Sequence, residues 1–273
     1  PAGISFDECK ALVSACAASK SRYIMAENYI YTRPMMLVSE IVRAGAFGEV
    51  YYAEGEYIHE LKELNEKTTW RRKWQTGING ITYGTHSLGP ILQWMPGDRV
   101  VSVSCAGSGH HYKDPRGYHY ENEDSCVMLC KTAKNRLIKI RVDMISDRPH
   151  SMNSYQLQGT DGVFESTRLG PGEQDKIWLR KLSEEPEWTS LDSLADKYLP
   201  ETWRNITKEQ AETGHGGGDY LQMLEYSNVL LNGKKPRIGI HEAMDLTLPG
   251  LISQDSISLD SKWLPVPNSR DWV

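Results

Sequence analysis

Apolar positions recur along this chain with two periods, and each period predicts a different kind of element. A spacing near 3.6 residues indicates helices. The Ser5-x-x-Glu8 capping box opens one that ends near Lys20, and Pro34 opens a second that runs to Ala44. The same period predicts three more helices: Tyr83–Trp94, Asp219–Leu231 and His241–Ile257.

Runs with strand character fill much of the remaining sequence. Short segments rich in β-branched and aromatic residues, bounded by turn residues, predict strands at Tyr23–Asn28, from Glu49 onward, and at Val100–Ala106, Ser125–Cys130, Leu137–Asp143, Tyr155–Gly159 and Ile177–Leu182. Successive strands joined only by turns favour an antiparallel sheet. A block of strands flanked by helices predicts an α+β domain, one sheet with helices on one face. The charged stretch Glu60–Thr76 is long for a loop, which is typical of functional or disordered segments.

Composition narrows the classes of function. The 273 residues are 39% hydrophobic and 25% charged, as in an ordinary globular protein. Since 31 basic residues face 36 acidic ones, the net charge is -5, and a nucleic-acid partner is not expected. No apolar run approaches the roughly 20 residues that span a bilayer, so a membrane partner is not expected either. Five cysteines without metal-type clustering favour a reducing, cytoplasmic setting.

Tyr83 and His86 are the first candidates for chemistry. They lie three residues apart at the start of a predicted helix, so both side chains share one face of its first turn. A phenol and an imidazole can each donate and accept protons, which suits a general acid–base pair. The spacing alone also allows a purely structural role, in which both side chains fill the turn.

Two further groups carry side chains of the same kind. Tyr57 and His59 alternate with Ile58 at the end of a strand and therefore face the same side of the sheet. Packing alone would also explain a strand tyrosine. His215 lies among glycines that let a ligand approach the backbone, and Asp219 follows as a helix cap or a hydroxyl acceptor. His215 is either an acid–base group or a loop hydrogen-bonder.

A metal site is the weakest of the candidate sites. His110, His111, His119 and Glu121 lie close together in sequence. Adjacent histidines cannot both point at one ion from a regular element, and nothing else specifies ligand geometry. We therefore predict no metal.

Three segments in the same order resemble one known family. They are ENYIYTRPMMLVSEIVRAGAFGEVYYAEGEYIHEL, ITYGTHSLGPILQW and GHGGGDYLQMLEY. Over essentially its whole length, the chain resembles the glucose–fructose oxidoreductase/inositol dehydrogenase (Gfo/Idh/MocA) family. The nearest branch is the NAD-dependent glycoside hydrolases of family 109. Dehydrogenases of the family carry Asp-x-Gly-x-His where this chain has Thr82-Tyr83-Gly84-Thr85-His86, and the Tyr-x-x-His form is that of the glycosidase branch.

The resemblance implies a mechanism. Transient oxidation at the sugar C3 acidifies the C2 hydrogen, the aglycone leaves by elimination, water adds, and the hydride returns. It implies that Tyr57 takes the C2 proton, that Tyr83 and His86 serve the C3 hydroxyl, and that His215, also a catalytic candidate, and Asp219 bind sugar hydroxyls. The remaining expected contacts are His59, Arg72 and Asn79 with the substrate, and Asn28 and Arg33 with the nicotinamide end.

The resemblance also implies a domain organisation. The family joins an N-terminal Rossmann domain to an α+β domain with a large, open, mostly antiparallel sheet. Pro1 resembles the proline of the family's junction tripeptide. Residues 1–33 are therefore expected to be the last helix and strand of a dinucleotide-binding domain, and residues 34–273 the substrate-binding, catalytic domain. The glycine-rich phosphate loop has no counterpart in this sequence.

The cofactor and partners follow from that organisation. We expect NAD as the cofactor. The part of the protein that binds its phosphates would come from elsewhere, either from a separate Rossmann-domain polypeptide or from a longer protein. A carbohydrate substrate and a homo-oligomer formed through the sheet are the other implied partners. Two other functions stay open: an NAD(P)-dependent sugar or cyclitol dehydrogenase with net cofactor turnover, and a non-catalytic oligomerisation or scaffold subunit.

Overall fold

A nine-stranded sheet organises the computed structural model, which describes residues 1–149, 152–168 and 174–272. The strand order in this described part is β8-β7-β6-β5-β1-β4-β3-β2-β9. The strands are β1 Val50–Ile58, β2 Val100–Gly107, β3 Ser125–Thr132, β4 Leu137–Asp143, β5 Met152–Gly159, β6 Gly162–Glu165, β7 Lys176–Leu179, β8 Thr189–Ser190 and β9 Leu264–Pro265.

The helices vary widely in length. They are α1 Phe6–Ala18, α2 Arg33–Arg43, α3 Lys62–Lys67, α4 Thr69–Trp74, α5 Thr85–Trp94, α6 Ala195–Tyr198, α7 Glu201–Arg204, α8 Lys208–Ala211, α9 Gly218–Asn232 and α10 Ile240–Ser258. Short 3₁₀ turns occupy Asn28–Tyr31, Leu191–Leu194 and Ser269–Asp271. Within these described ranges no helix is both long and apolar enough to cross a bilayer.

The prediction of a largely antiparallel sheet is confirmed, with one exception at its centre. Strand β1 pairs antiparallel with β5 on one side but parallel with β4 on the other. A parallel pair needs a crossover connection, and here the chain passes through α3, α4 and α5 and then the β2–β3 pair before it returns as β4. Because β1 is flanked on both sides, its last residues are held firmly where the sheet meets the helices.

The predicted helical layer on one face of the sheet is also confirmed. Along β3, Cys126, Met128 and Cys130 are fully buried, whereas Val127 and Leu129 are more than one-third exposed. Helix α5 packs on β1 and α10 packs on β2. Alternate side chains of a strand point to opposite faces, so one face of the sheet forms the core and the other is left uncovered. A homo-oligomer through that uncovered face stays a prediction.

Several element predictions were wrong or incomplete. The segment Tyr23–Asn28 is not a strand: it is extended, makes a backbone hydrogen bond from Met25 N–H to Ile238 O of 3.0 Å, and turns into the 3₁₀ segment at Asn28. A strand needs a hydrogen-bonded neighbour, and the described residues provide no ladder for this segment. The stretch Glu60–Thr76 holds two short helices rather than a plain loop, and α5 begins at Thr85 rather than Tyr83.

The N-terminal residues share the core of the rest of the chain. Cys9 and Val13 on α1 belong to the same buried cluster as the sheet and helices. Helix α1 begins as expected, because Ser5 Oγ accepts from Glu8 N–H and Glu8 Oε2 accepts from Ile4 N–H. The division of the chain at residue 33 into two domains stays a prediction.

Neighbouring side chains on β3 test the two-faced sheet. We expect Met128→Ala to lower the free energy of unfolding by about 2–5 kcal/mol, because it leaves a cavity in the core. Leu129→Ala, on the uncovered face, should change it by less than about 1 kcal/mol. Urea unfolding followed by tryptophan fluorescence measures both, and similar losses for the two variants would contradict this arrangement.

Candidate active site

The end of β1 presents the first tyrosine of the site. Tyr57 is 5% exposed, and its hydroxyl lies 2.9 Å from Nδ1 of His59. Because β1 pairs on both edges up to Ile58, the backbone of Tyr57 cannot shift without disturbing the sheet. The hydroxyl can donate its proton to the imidazole or accept one from it.

The turn before α5 brings a second tyrosine and a histidine against Tyr57. Gly84 N–H donates to Ile81 O at 3.0 Å, which closes a turn and leaves Tyr83 just outside the helix. The ring centroids of Tyr57, Tyr83 and His86 are 5.3 Å apart in all three pairs. One sugar ring could therefore contact all three groups at once.

Glu27, which sequence reasoning missed, holds His86 from behind. Its Oε1 lies 2.7 Å from His86 Nδ1, and the Glu27 side chain is only 1% exposed. A carboxylate accepts, so Nδ1–H is the donor and Nε2 is the ring nitrogen left for proton exchange. Gly89 on α5 makes room for this contact, since a Cβ there would lie 2.8 Å from Glu27 Cγ.

The partners of Glu27 favour its charged form. Burial raises the pKa of Glu27, but the charge of His86, together with hydrogen bonds from His86, Thr85 and the Tyr29 N–H, outweighs burial. The pKa of Glu27 is therefore lowered. A buried carboxylate needs such partners, because an unpaired buried charge is strongly destabilising.

Tyr29, also missed, connects this group to the glycine-rich loop. Its ring centroid is 4.6 Å from that of His86 and 5.6 Å from that of His215. We call Tyr29, Tyr57, Tyr83 and His86 the tyrosine–histidine cluster. The signal that could have revealed Glu27 and Tyr29 is the Glu27-Asn28-Tyr29 sequence, which places an acid and two polar groups at the end of the segment predicted as a buried strand.

The glycine-rich loop positions His215 and Asp219 beside the cluster. His215 has a left-handed backbone, with φ of 56°, and its Nδ1 lies 2.9 and 3.0 Å from the two carboxylate oxygens of Asp219. Asn28 Nδ2 lies 3.0 Å from Asp219 Oδ1 and 2.9 Å from the same His215 nitrogen. Because a carboxylate only accepts, Nδ1–H and the amide both donate to Asp219, which leaves Nε2 of His215 for a ligand. Gly218 allows this approach, since a Cβ there would lie 3.0 Å from Asn28 O.

The tyrosine hydroxyls are hard to ionise. Burial raises the pKa of Tyr57, and the nearby Tyr83, Tyr29 and Glu27 raise it further, while Arg71 opposes them. Burial and Glu27 also raise the pKa of Tyr83, against a hydrogen bond from Gln75 and the charge of Arg71. Neither phenol is therefore a free base at neutral pH, and each needs a partner that accepts its proton.

Four of the predicted site residues are not members of the tyrosine–histidine cluster. Arg72 pairs with Glu121 at 2.6 Å and covers the ring of Tyr120, Asn79 donates to Glu123, and Arg33 pairs with Asp192. His59 lies beside the cluster, with its Nδ1 2.9 Å from the Tyr57 hydroxyl. Arg71, the residue beside Arg72, is the arginine whose charge reaches both Tyr57 and Tyr83. The substrate and cofactor contacts of Arg72, Asn79 and Arg33 stay predictions.

A metal centre is not part of this arrangement in the residues described. No group of three His, Cys, Asp or Glu side chains there is placed to hold an ion. His111 Nδ1–H instead donates to Asp124 Oδ2, 2.7 Å away, and His110 lies against His119 with ring centroids 5.9 Å apart.

Comparison with known proteins gives the cluster a context. The family model of the glycosyl hydrolase 109 C-terminal domain matches residues 31–271. A glycosyl hydrolase family 109 protein of Saccharopolyspora erythraea is 31% identical over 288 residues, and the match covers 98% of this chain and 61% of that protein. An alpha-N-acetylgalactosaminidase of Shewanella oneidensis is 31% identical over 293 residues, covering 98% of this chain and 62% of that one. The chain thus spans about six-tenths of the length of these relatives.

Solved structures support the fold. A levoglucosan dehydrogenase in complex with NADH and L-sorbose superposes with a TM-score of 0.75 at 16% identity, covering 96% of this chain and 70% of that one. A dehydrogenase from Bordetella pertussis in complex with NADH and UDP-GlcNAcA gives a TM-score of 0.68 at 19% identity, covering 97% of this chain and 71% of that one. At these identities the likeness shows the fold alone, that of the C-terminal domain of Gfo/Idh/MocA-type dehydrogenases.

The buried Glu27–His86 pair generates a pH-dependent prediction. We expect Glu27→Gln to lower the free energy of unfolding at pH 7 by about 1–3 kcal/mol, as for a buried charged hydrogen bond that loses its charge. The pKa of Glu27 is lowered on folding, so its stabilisation is present above its unfolded pKa of about 4.3 and is lost as the pH falls through the folded value. The difference from wild type should therefore shrink on acidification.

Urea unfolding at pH 7 and at a series of pH values below 4 measures this difference. Glu165→Gln is the matched control, because Glu165 is exposed at the end of β6 and bonds only Gln156 among the contacts found. An unfolding midpoint of Glu27→Gln equal to that of wild type at pH 7 would contradict the role given to Glu27.

Proposed function

This chain belongs to the glycosyl hydrolase 109 family, and we propose that it is the sugar-binding, catalytic part of an NAD-dependent glycosidase acting by C3 oxidation, elimination and hydration. The observation that carries the proposal is the mutual 5.3 Å spacing of the rings of Tyr57, Tyr83 and His86. Such a series of reaction steps needs acid–base groups at neighbouring carbons of one sugar, and these side chains can supply them. The named relatives act on glycosides, and the S. oneidensis protein is an alpha-N-acetylgalactosaminidase.

His86, with Tyr83, serves the C3 hydroxyl. Glu27 binds Nδ1–H and fixes the ring, so Nε2 can take the proton of the C3 hydroxyl. The positive charge that forms on His86 is stabilised by the carboxylate behind it, in the way that a buried acid supports the histidine of a catalytic triad. Tyr83 lies against His86 and donates a hydrogen bond to the same oxygen.

Tyr57, with His59, removes the C2 proton. A tyrosine with a raised pKa is a poor base by itself, but the imidazole 2.9 Å from its hydroxyl can take the phenolic proton as the phenol takes the C2 proton. Arg71 favours the negative charge that passes through the phenol. No carboxylate pair across the scissile bond is required for this route, in contrast to most glycosidases.

His215 and Asp219 serve the other side of the sugar. Nε2 of His215 accepts a hydrogen bond from a sugar hydroxyl while the ring is neutral and donates one when it is protonated. Asp219 and Asn28 keep the ring in that orientation. The glycines beside His215 serve the backbone: Gly216 and Gly217 have positive φ of 61° and 87°, which favours glycine, and a Cβ on Gly218 would crowd Asn28 O.

The residues present fit the nicotinamide end of NAD. In the described part of the chain, Asn28 Oδ1 is buried without a hydrogen-bond partner, beside the tyrosine–histidine cluster. A carboxamide N–H could satisfy this oxygen, as buried polar groups generally require. NAD bound there would accept the C3 hydride and later return it. The phosphate-binding half is expected from a nucleotide-binding domain outside this sequence, and NAD rather than NADP is part of the proposal.

A dehydrogenase would use the same His86–Glu27 pair but has no use for a base at C2. The pairing of Tyr57 with His59 therefore favours the glycosidase over a sugar or cyclitol dehydrogenase. A scaffold subunit would need none of these contacts.

Substitution of Tyr57 tests the elimination step. The protein is assayed with NAD and a nucleotide-binding domain present, in D₂O, on an aryl N-acetylgalactosaminide. We expect wild type to release the aglycone without net NADH and to incorporate deuterium at C2. Tyr57→Phe should lower release by about 10²–10⁴-fold, the usual contribution of a general base.

Tyr51→Phe is the matched control, since Tyr51 lies on the same strand and is 49% exposed. Release of the aglycone without deuterium at C2 would overturn the elimination route. Accumulation of NADH without aglycone release would indicate the dehydrogenase instead, and full activity of Tyr57→Phe and His86→Ala would indicate the scaffold.

A further inference from the structure

A cavity of about 430 Å³ lies at the opposite end of α5 from His86. Leu92 and Gln93 line it, and a helix rises about 9–10 Å over the six to seven residues that separate them from His86. The other lining segments are the end of α2, the turn before β2, the start of α10 and the C-terminal 3₁₀ turn. Within the described part of the chain, no member of the tyrosine–histidine cluster lines this cavity. Its volume is in the range of small-molecule sites, so a second site is possible here.

Four arginines line the cavity, each from a different segment of the chain. They are Arg43, Arg99, Arg237 and Arg270. Arg270 forms two parallel hydrogen bonds with Asp245, of 3.0 and 2.9 Å, and Arg237 Nε lies 3.0 Å from Glu225 Oε2. The charges of these two guanidinium groups are therefore balanced within the protein.

Arg99 and Arg43 can instead turn to a ligand. Arg99 Nη1 donates to Val100 O at 3.3 Å, and Arg99 forms no ion pair with any residue that the structure describes. Arg43 pairs with Glu40 of its own helix, but the Arg43 side chain is 47% exposed. Exposed pairs of this kind contribute little free energy, so a ligand can replace Glu40. A guanidinium carries five N–H donors, and most of those on Arg99 are left for an acceptor.

The acidic side chains of the lining already have donors of their own. Asp98 is fully buried and accepts from Thr132 Oγ1 at 2.7 Å and from two backbone N–H groups. Glu242 accepts from Gly239 N–H at the start of α10, and Asp245 is held by its arginine. The charge of the lining that lacks a partner is therefore positive, which favours an anion.

The rest of the lining indicates the kind of anion. A guanidinium matches a phosphate group, to which it can donate two parallel N–H bonds. Leu92, Pro96, Ile238 and Leu246 add apolar surface to the cavity. A phosphate ion by itself would fill only a small part of about 430 Å³. A phosphate attached to a compact organic group suits both the volume and the apolar side chains.

We propose that this cavity binds a phosphorylated small molecule, whose phosphate accepts hydrogen bonds from Arg99 and Arg43. The organic part lies against the apolar side chains of the lining. This site does not depend on the proposed function, because it shares no residue with the tyrosine–histidine cluster.

Titration of the full chain with glucose 6-phosphate, inorganic phosphate and glucose tests the assignment. Dissociation constants are measured by NMR in a low-salt buffer without phosphate, from the shifts of the arginine Nε–Hε resonances. We expect glucose 6-phosphate to bind more tightly than inorganic phosphate, because only the ester contacts the apolar side chains. Glucose should leave the arginine resonances unchanged.

We expect Arg99→Gln and Arg43→Gln each to weaken binding of glucose 6-phosphate by at least about tenfold, as for the loss of a charged hydrogen bond. Glutamine keeps a polar side chain at each position, and the exposure of Arg43 makes its variant the safer one for folding. Arg180→Gln is the matched control. Arg180 is also an exposed arginine paired with a carboxylate, that of Asp161, but it does not line the cavity.

The outcomes separate a phosphate site from a general attraction of anions to the surface. The assignment is wrong if wild type binds neither phosphate compound, or if both cavity variants bind glucose 6-phosphate as wild type does. An equal loss of affinity in Arg180→Gln would also overturn it. Equal affinities of wild type for the ester and the ion would assign the site to inorganic phosphate. None of these results bears on the proposed function, which release of the aglycone tests separately.

Discussion

A buried hydrogen bond from His86 to the Glu27 carboxylate ties together the three segments on which the site depends. Glu27 belongs to the extended stretch before the 3₁₀ turn, His86 to the first turn of α5, and α5 lies on β1, which carries Tyr57. With 1% of the Glu27 side chain exposed, neither partner can turn to water without leaving the other unpaired. Such a loss is strongly destabilising, so this contact holds His86 in one orientation.

The sheet supplies the rigid reference for that contact. Strand β1 is bonded on both edges and ends where the helical layer begins, so Tyr57 emerges at a boundary between core and solvent. Residues positioned by a sheet vary less in place than residues on loops. The partner groups His215 and Asp219 come instead from a glycine-rich loop and the start of α9, and Asp219 accepts hydrogen bonds from both His215 and Asn28.

The protonation states of the cluster follow from its burial. Burial raises the pKa of Tyr57, Tyr83 and Tyr29, and Glu27 adds to each effect. These phenols therefore work as hydrogen-bond donors unless a neighbouring imidazole takes the proton. Tyrosines and histidines occur in pairs here, with His59 beside Tyr57 and His86 beside Tyr83, and in the proposed mechanism each pair serves one carbon of the sugar.

Local patterns along the sequence determined the helices and strands that have a clear period, the one-sided sheet, and the individual Tyr, His and Asp residues of the site. These signals depend on neighbours within a few residues. The parallel pairing of β1 with β4, the unpaired extended segment before Asn28, and the contacts of Glu27, Tyr29 and Arg71 depend on residues that are distant in sequence. Only the tertiary structure decided those. The sequence shows an acid and an apolar run, but it does not show which distant group satisfies their hydrogen bonds.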